Sequence, residues 1–315
     1  MNGQPLKPWL APLALIGLLA VMGFVLPAYH HNNMARILVL AVFAMGYNIA
    51  FGYTGLLSLG HALFFGAGLY AAGLAINQGG VTAGLALGLG LLAGGGVALA
   101  TGVLALRTAG VSFMIVTLMF AQAGYLLLLY FGAFTGGDEG FVVAKTGRVL
   151  GGFDLTTDGP RYGLALGLFT LAILGQTAIV RAPFGRVMVA MRENSARAQM
   201  LGFDPFRTKL IVLVISGLYS GVAGAAYGIL FGYVGASFAG IQYSILPLLW
   251  VLLGGSGTVL GPFLGVFMMF YLIDLSSSYT SAHLMVVGVA LLVLVLFAPR
   301  GILGGLRKRW GTWLA

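Results

Sequence analysis

The chain contains no cysteine, which excludes a disulfide framework, a thiolate metal site and a cysteine nucleophile. It is also poor in charge. Only 7% of its 315 residues are Asp, Glu, Lys or Arg. A soluble domain carries roughly 25%, so there is too little charge here to cover a water-exposed surface. No G-x-x-x-x-G-K-[ST] stretch occurs, so no phosphate loop of that kind holds ATP. Carboxylates are scarce, and within the apolar runs only Asp274 is found, near the expected outer end of one. The buried acidic relays of ion-coupled carriers are therefore missing. The four histidines are scattered, no His–carboxylate cluster has metal-ligand spacing, and no nucleophile–base–acid arrangement suggests an intramembrane enzyme. We expect no catalytic residue, no metal and no cofactor bound by this chain.

What is present points to a membrane. Sixty per cent of the residues are apolar and the mean hydropathy is +1.02. Glycine reaches 51 residues without a G-X-Y period, so collagen is excluded and close helix packing is the better reason. A helical span needs roughly 20 mostly apolar residues. Ten runs qualify: Trp9–Pro27, Arg36–Phe51, Leu56–Ile76, Val81–Leu106, Val111–Phe131, Arg161–Val180, Leu210–Phe231, Tyr243–Leu253, Val259–Leu275 and His283–Ala298. The first reads as an uncleaved helix, since no clean small-x-small cleavage site follows it. The third is interrupted by Ser58, Gly60 and His61. Glycines and Pro262 fall between or inside the eighth and ninth. The fold class is an all-α polytopic membrane protein of about ten helices, some broken, and residues 1–315 form a single transmembrane domain.

Charge sets the orientation. The loop of residues 181–209 holds Arg181, Arg186, Arg192, Arg197, Arg207 and Lys209 against Glu193 and Asp204. The C-terminal tail holds Arg300, Arg307, Lys308 and Arg309. Basic loops mark the cytoplasmic side, and ten spans put both regions and Lys7 on that side. The loop of residues 132–160, with Asp138, Glu139, Asp154 and Asp158 against Lys145 and Arg148, then lies outside. The net charge of +9 is thus a topology signal, and nucleic acid is not an expected partner.

Two glycine series should form close-packing faces: Gly84, Gly88, Gly95, Gly102, and Gly217, Gly221, Gly224, Gly228, Gly232. Within the basic loop, Met188 to Leu201 reads as one short helix. Gly202 supplies its left-handed end and Pro205 prevents its continuation.

The stretch A-M-R-E-N-S-A-R-A-Q-M-L-G, Ala190 to Gly202, resembles the coupling segment of ATP-binding-cassette importer permeases. Four more stretches resemble the same family in matching order: N-I-A-F-G-Y-T-G-L-L-S-L-G-H-A-L-F-F-G from Asn48; L-R-T-A-G-V-S-F-M-I-V-T-L from Leu106, followed by T-G-G-D-E-G from Thr135; L-L-G-G-S-G-T-V-L-G-P-F-L-G from Leu252; and A-P-R-G-I from Ala298. Their order is similar to that of the M-type permease subunit of branched-chain amino acid importers. Glu139 departs from it, standing where the family more often has a smaller residue. The resemblance implies an H-type permease partner, two cytoplasmic ATPase subunits that bind the ATP, a periplasmic binding protein and a bacterial inner-membrane location. It also implies branched-chain amino acids or relatives such as urea, amides or aromatic acids as solute.

On that resemblance, Arg192, Glu193, Asn194, Arg197, Ala198 and Gly202 are the expected ATPase-coupling residues, and Asp138 and Glu139 the contact for the binding protein. The candidate solute pathway comprises Gly55, Ser58, Gly60 and His61 of the broken third span, Thr117, and Gly254, Gly255 and Gly257. His61 reads first as a hydrogen-bonded structural residue, and Thr117 as bonded to its own helix backbone. Gly136 and Gly137 should make a tight turn. A faint echo links the segments starting at Gly55 and Gly257. The rival readings are a stand-alone secondary transporter, a urea or amide channel, and a non-transporting scaffold.

Overall fold

The computed structural model describes residues 7–25, 27–279 and 301–310, with isolated positions between the last two. Helices stand at nine of the ten expected spans. They are α1 (Lys7–Val25), α2 (Ala28–Asn48), α3 (His61–Gly79), α4 (Ala83–Ala105), α5 (Val111–Tyr130), α7 (Asp158–Arg181), α10 (Pro205–Phe231), α11 (Ile241–Gly254) and α12 (Gly261–Tyr279). The run His283–Ala298 lies outside the described residues. Short helices α6 (Gly132–Thr135), α8 (Pro183–Glu193) and α9 (Ser195–Met200) fill the two long loops, and a further helix covers Gly301–Trp310. Among the described residues six helices, including α2 with the π-helical turn Ile49–Tyr53 that extends it, are long and apolar enough to cross a membrane. With 14 residues, α11 reaches only about 21 Å, short of a hydrocarbon core of about 30 Å.

The second span starts earlier than expected, at Ala28 instead of Arg36, because tertiary contacts satisfy its polar head. His31 stacks on Tyr162 with ring centroids 4.5 Å apart and hydrogen-bonds the Gly23 carbonyl, while Asn32 accepts from Arg161 at 3.0 Å. This helix is the axis of the bundle: 89% of its apolar window is buried. Beside it, α3, α4 and α10 cross so closely that backbones touch. A side chain at Gly221 would meet the Gly90 carbonyl at 2.5 Å and the Gly94 Cα at 2.8 Å, and one at Gly68 would overlap the backbone of Gly221. The predicted face on α10 is correct from Gly217 to Gly228, but Gly232 instead ends the helix with φ +75°. On α4 the expected series is correct in part: Gly95 and Gly102 meet leucine side chains of α10. Gly88 meets nothing within 4 Å and Gly84 only a loop leucine. The closest backbone approach is at Gly90 and Gly94, because α10 crosses α4 at its middle.

The loops of residues 132–160 and 181–204 mark the two ends of the bundle, called here the acidic face and the basic face. At the acidic face Phe141–Val142 pairs with Tyr233–Val234 and Val149–Leu150 with Phe153–Asp154, both antiparallel. Arg148 is buried there and donates to the Ile229 and Leu230 carbonyls, orphans of the last turn of α10. Burial lowers its pKa from the usual guanidinium value.

Candidate functional site

Two spans are broken near the basic face, and a polar seam holds the breaks together. The first break follows α2. The π turn Ile49–Tyr53 ends at Thr54, whose hydroxyl donates to the Ile49 carbonyl at 3.1 Å. The chain then runs irregularly from Thr54 to Gly60 before α3 begins, and Gly55 takes φ +74°, which a side chain would oppose. At membrane depth the N–H groups freed by such a break need partners. Three of them find a hydroxyl: Leu59 N–H donates to Thr117 Oγ1 at 3.1 Å, Gly60 N–H to Ser58 Oγ at 3.2 Å, and Ala62 N–H to Ser244 Oγ at 3.1 Å. His61, fully buried, bonds Ser216 Oγ at 2.7 Å. Thr117 serves two groups, donating also to the Met114 carbonyl of its own helix at 2.9 Å.

The second break separates α11 from α12. Thr258 Oγ1 donates to the Gly255 carbonyl at 2.7 Å and accepts from Gly261 N–H at 3.1 Å, capping α12. Asn48, with no exposed surface, joins the two breaks. Its Nδ2 donates to the Thr258 carbonyl at 2.8 Å and its Oδ1 accepts from Gly257 N–H at 2.9 Å. The partners force this amide orientation, since one is only an acceptor and the other only a donor.

The basic loop seats on this junction. Contrary to the expected single helix over Met188–Leu201, the chain breaks at Asn194, which adopts extended backbone (φ −161°, ψ 102°) and caps α9 by accepting from Arg197 N–H at 2.9 Å. An Asn followed by Ser is a favoured start for a new helix, and this local bond competes with continuation of α8. Gly202 does adopt the left-handed end, at φ +90°. Pro205 opens α10 behind the cap Asp204, which accepts from Phe206 and Arg207 N–H. Met188 and Met191 are buried beneath α8. From the same helix Arg192 Nη1 donates to the Gly52 carbonyl in the π turn. The Arg192 side chain crosses both breaks: a side chain at Gly55 would meet its Cγ at 3.0 Å and one at Gly257 its Nη1 at 3.0 Å. Beside it lies a cavity of about 620 Å³, lined among others by Gly55, Thr108, Met191, Asp204 and Lys209.

The expected coupling residues therefore divide. Arg192 is exposed yet its guanidinium reaches the Gly52 carbonyl, Asn194 caps and Ala198 is buried. Glu193 and Arg197 are exposed, beside Met200, Leu201 and Phe203, which are 81%, 72% and 41% exposed. Of the expected pathway residues, Ser58, Gly60, His61 and Thr117 meet in the seam around the first break. Gly254, Gly255 and Gly257 form the second break, and Gly55 and Gly257, the two segments that echo each other, meet at Arg192. Asp138 and Glu139 sit apart on the acidic face, exposed, after the Gly136–Gly137 turn with its φ of +75° and +58°. Sequence reasoning missed Asn48, Ser216, Ser244 and Thr258. Their signal was a lone polar residue within or beside an apolar run. Among the described residues no group of three His, Cys, Asp or Glu could hold a metal.

Comparison with known proteins gives a consistent family. Residues 31–298 match the family described as branched-chain amino acid transport system / permease component. Over 96% of the chain and 76% of the relative, the sequence is 25% identical to the high-affinity branched-chain amino acid transport system permease protein LivM of Escherichia coli (strain K12). It is 33% identical over 42% of the chain and 44% of the relative to the corresponding LivH protein of the same organism. Over 32% of each, it is 33% identical to the autoinducer 2 import system permease protein LsrC of Klebsiella pneumoniae. No solved structure matches the chain.

Proposed function

The chain belongs to the branched-chain amino acid transport system permease family, and from that premise we propose that it is the M-type permease subunit of an ATP-binding-cassette importer. Its solute is a branched-chain or related amino acid. It pairs with an H-type permease, receives solute from a periplasmic binding protein at the acidic face, where Asp138 and Glu139 stand exposed, and is driven by two ATPase subunits at the basic face. Both termini are then cytoplasmic and residues 1–315 act as one permease domain.

The observation that carries this reading is the two-sided build of the basic loop. Its outward side presents Glu193 and Arg197 beside the exposed Met200, Leu201 and Phe203. An exposed apolar tip outside the spans suits the groove of a soluble partner. Its inward side places Arg192 across both helix breaks. A push by the ATPase on α8 and α9 is thereby passed to the Gly52 carbonyl and the turn at Gly257, where backbone is already free of regular helix. Broken spans can rearrange without unpacking whole helices, which is what alternating access needs. The chain supplies no chemistry of its own; the cavity beside Arg192 is the inner mouth of the pathway.

The test is ATP-driven leucine uptake in proteoliposomes holding the full set of subunits. Glu193→Lys should cut solute-stimulated hydrolysis and uptake together, because losing a desolvated charge partner costs about 2–5 kcal/mol. Uptake by the permease without ATPases or ATP would overturn the importer reading in favour of a channel or secondary carrier.

A further inference from the structure

A second cavity shares no lining residue with the one beside Arg192. It measures about 280 Å³, is partly open and is lined by α2, α10, α11 and α12. Two opposite charges line it, Arg36 from α2 and Asp274 from α12. Among the described residues they form no ion pair with each other or with any other side chain. The Arg36 Nε is buried without a partner, and its guanidinium carbon sits 4.9 Å from the centroid of the Phe231 ring. Among the described residues the Asp274 carboxylate accepts from the Tyr29 hydroxyl alone, at 2.9 Å. Between the charges the wall is mostly apolar and aromatic, with Tyr227, Tyr243, Trp250 and Phe270.

Ionisable groups inside a span are costly, pair where they can, and mark solute paths where they do not. Here a cation and an anion share one small cavity and stay apart. A solute that bridges them must carry a carboxylate for the guanidinium fork, an ammonium for the carboxylate, and a compact apolar body for the rings. We infer that this cavity is a transient binding site for the zwitterion of a branched-chain α-amino acid, with Arg36 holding the carboxylate and Asp274 the ammonium. Its volume is at the small end of ligand sites, which run from about 300 Å³ upward, a size that suits a single amino acid. The site would be the first one met by solute released at the acidic face. The inference rests on the permease reading above, which names a solute class and no site for it in this chain.

The absence of native cysteine supplies the assay. Ser277 lines the cavity and is exposed, so S277C gives one labelling site in this chain, followed on its own band among the assembled subunits. Saturating L-leucine should slow its reaction with a maleimide by about tenfold or more, as expected for an occupied site. Leucinamide, which lacks the carboxylate, and 4-methylpentanoate, which lacks the ammonium, should leave the rate unchanged. Adding R36M or D274N should abolish the protection by leucine, and R36K, which keeps the charge without the fork, should weaken it. If R36M does not assemble, D274N decides alone, since it removes a charge at constant shape. ATP-driven leucine uptake by the wild type is measured in parallel. Uptake without protection, or equal protection by the two analogues, overturns the site and leaves the permease reading intact. Absence of any amino-acid uptake overturns that reading, and a zwitterion set against its singly charged analogues in the labelling assay then decides the site independently.

Discussion

The α4–α10 crossing and the junction at Arg192 are both places where backbones come close, and they are held by opposite means. At the crossing, Gly90, Gly94, Gly217 and Gly221 let two regular helices touch directly, and the contact is dispersion between surfaces that have no side chain to move. At the junction, helical regularity is given up, and single hydrogen bonds donated by Asn48 and Arg192 or accepted by Thr117 and Ser244 replace it. The first arrangement has one geometry. The second has partners that can be exchanged one at a time. A transporter needs both, a rigid frame and a place where it yields.

That contrast can be broken first at the frame. Gly221→Val puts a branched side chain against the Gly90 carbonyl and the backbone of Gly94. Neither can give without separating two helices, so the cost should exceed the usual ~1–3 kcal/mol of overpacking. The expected outcome is loss of folded permease, read as detergent-resistant monodisperse protein; normal yield and melting would show that the crossing is loose.

Asn48→Ala strikes the junction. It strands the Thr258 carbonyl and the Gly257 N–H, each at about 1–3 kcal/mol when buried. The protein should still fold, with a lower Tm, and uptake should fall more than assembly does. Equal loss of both would make Asn48 a frame residue.

Arg192→Met should be milder for stability, because the side chain is largely exposed and the apolar stem is retained. We expect unchanged co-purification and nearly unchanged Tm, with ATP hydrolysis no longer tied to uptake. Normal coupling would remove Arg192 from the path of force.

The smallest effect is predicted at Gly88, which belongs to the glycine series of α4 but faces open space. Gly88→Ala should be neutral or stabilising by up to ~1 kcal/mol, from helix propensity alone. A strong loss there would mean that another subunit packs on that face.

Much of this was legible in the residues. Period and length located the spans, since a run of about 20 apolar residues has few uses other than crossing a bilayer. The breaks at Ser58–His61 and Gly254–Gly261 could be placed because glycine and hydroxyl residues interrupt apolar runs there. Gly202 could be assigned because a left-handed helix end has few occupants. The split of α8 from α9 was less legible: Asn194 is an ordinary helix residue by composition and becomes a cap only through its bond to Arg197 N–H.

Composition, spacing and charge by themselves determined that the chain is an all-helical membrane protein with two broken spans and one basic loop, because the bilayer constrains each segment separately. Tertiary structure decided the rest. Which face of α4 carries the contact depends on where α10 crosses it, and a single helix does not encode the position of its neighbour. That Arg192 is tied to the junction depends on Gly52 lying beside it, 140 residues away in sequence. That Arg36 and Asp274 line one cavity follows from the packing of α2 beside α12. Contacts between distant residues are set by the mutual fit of whole helices, and only the folded bundle contains that information.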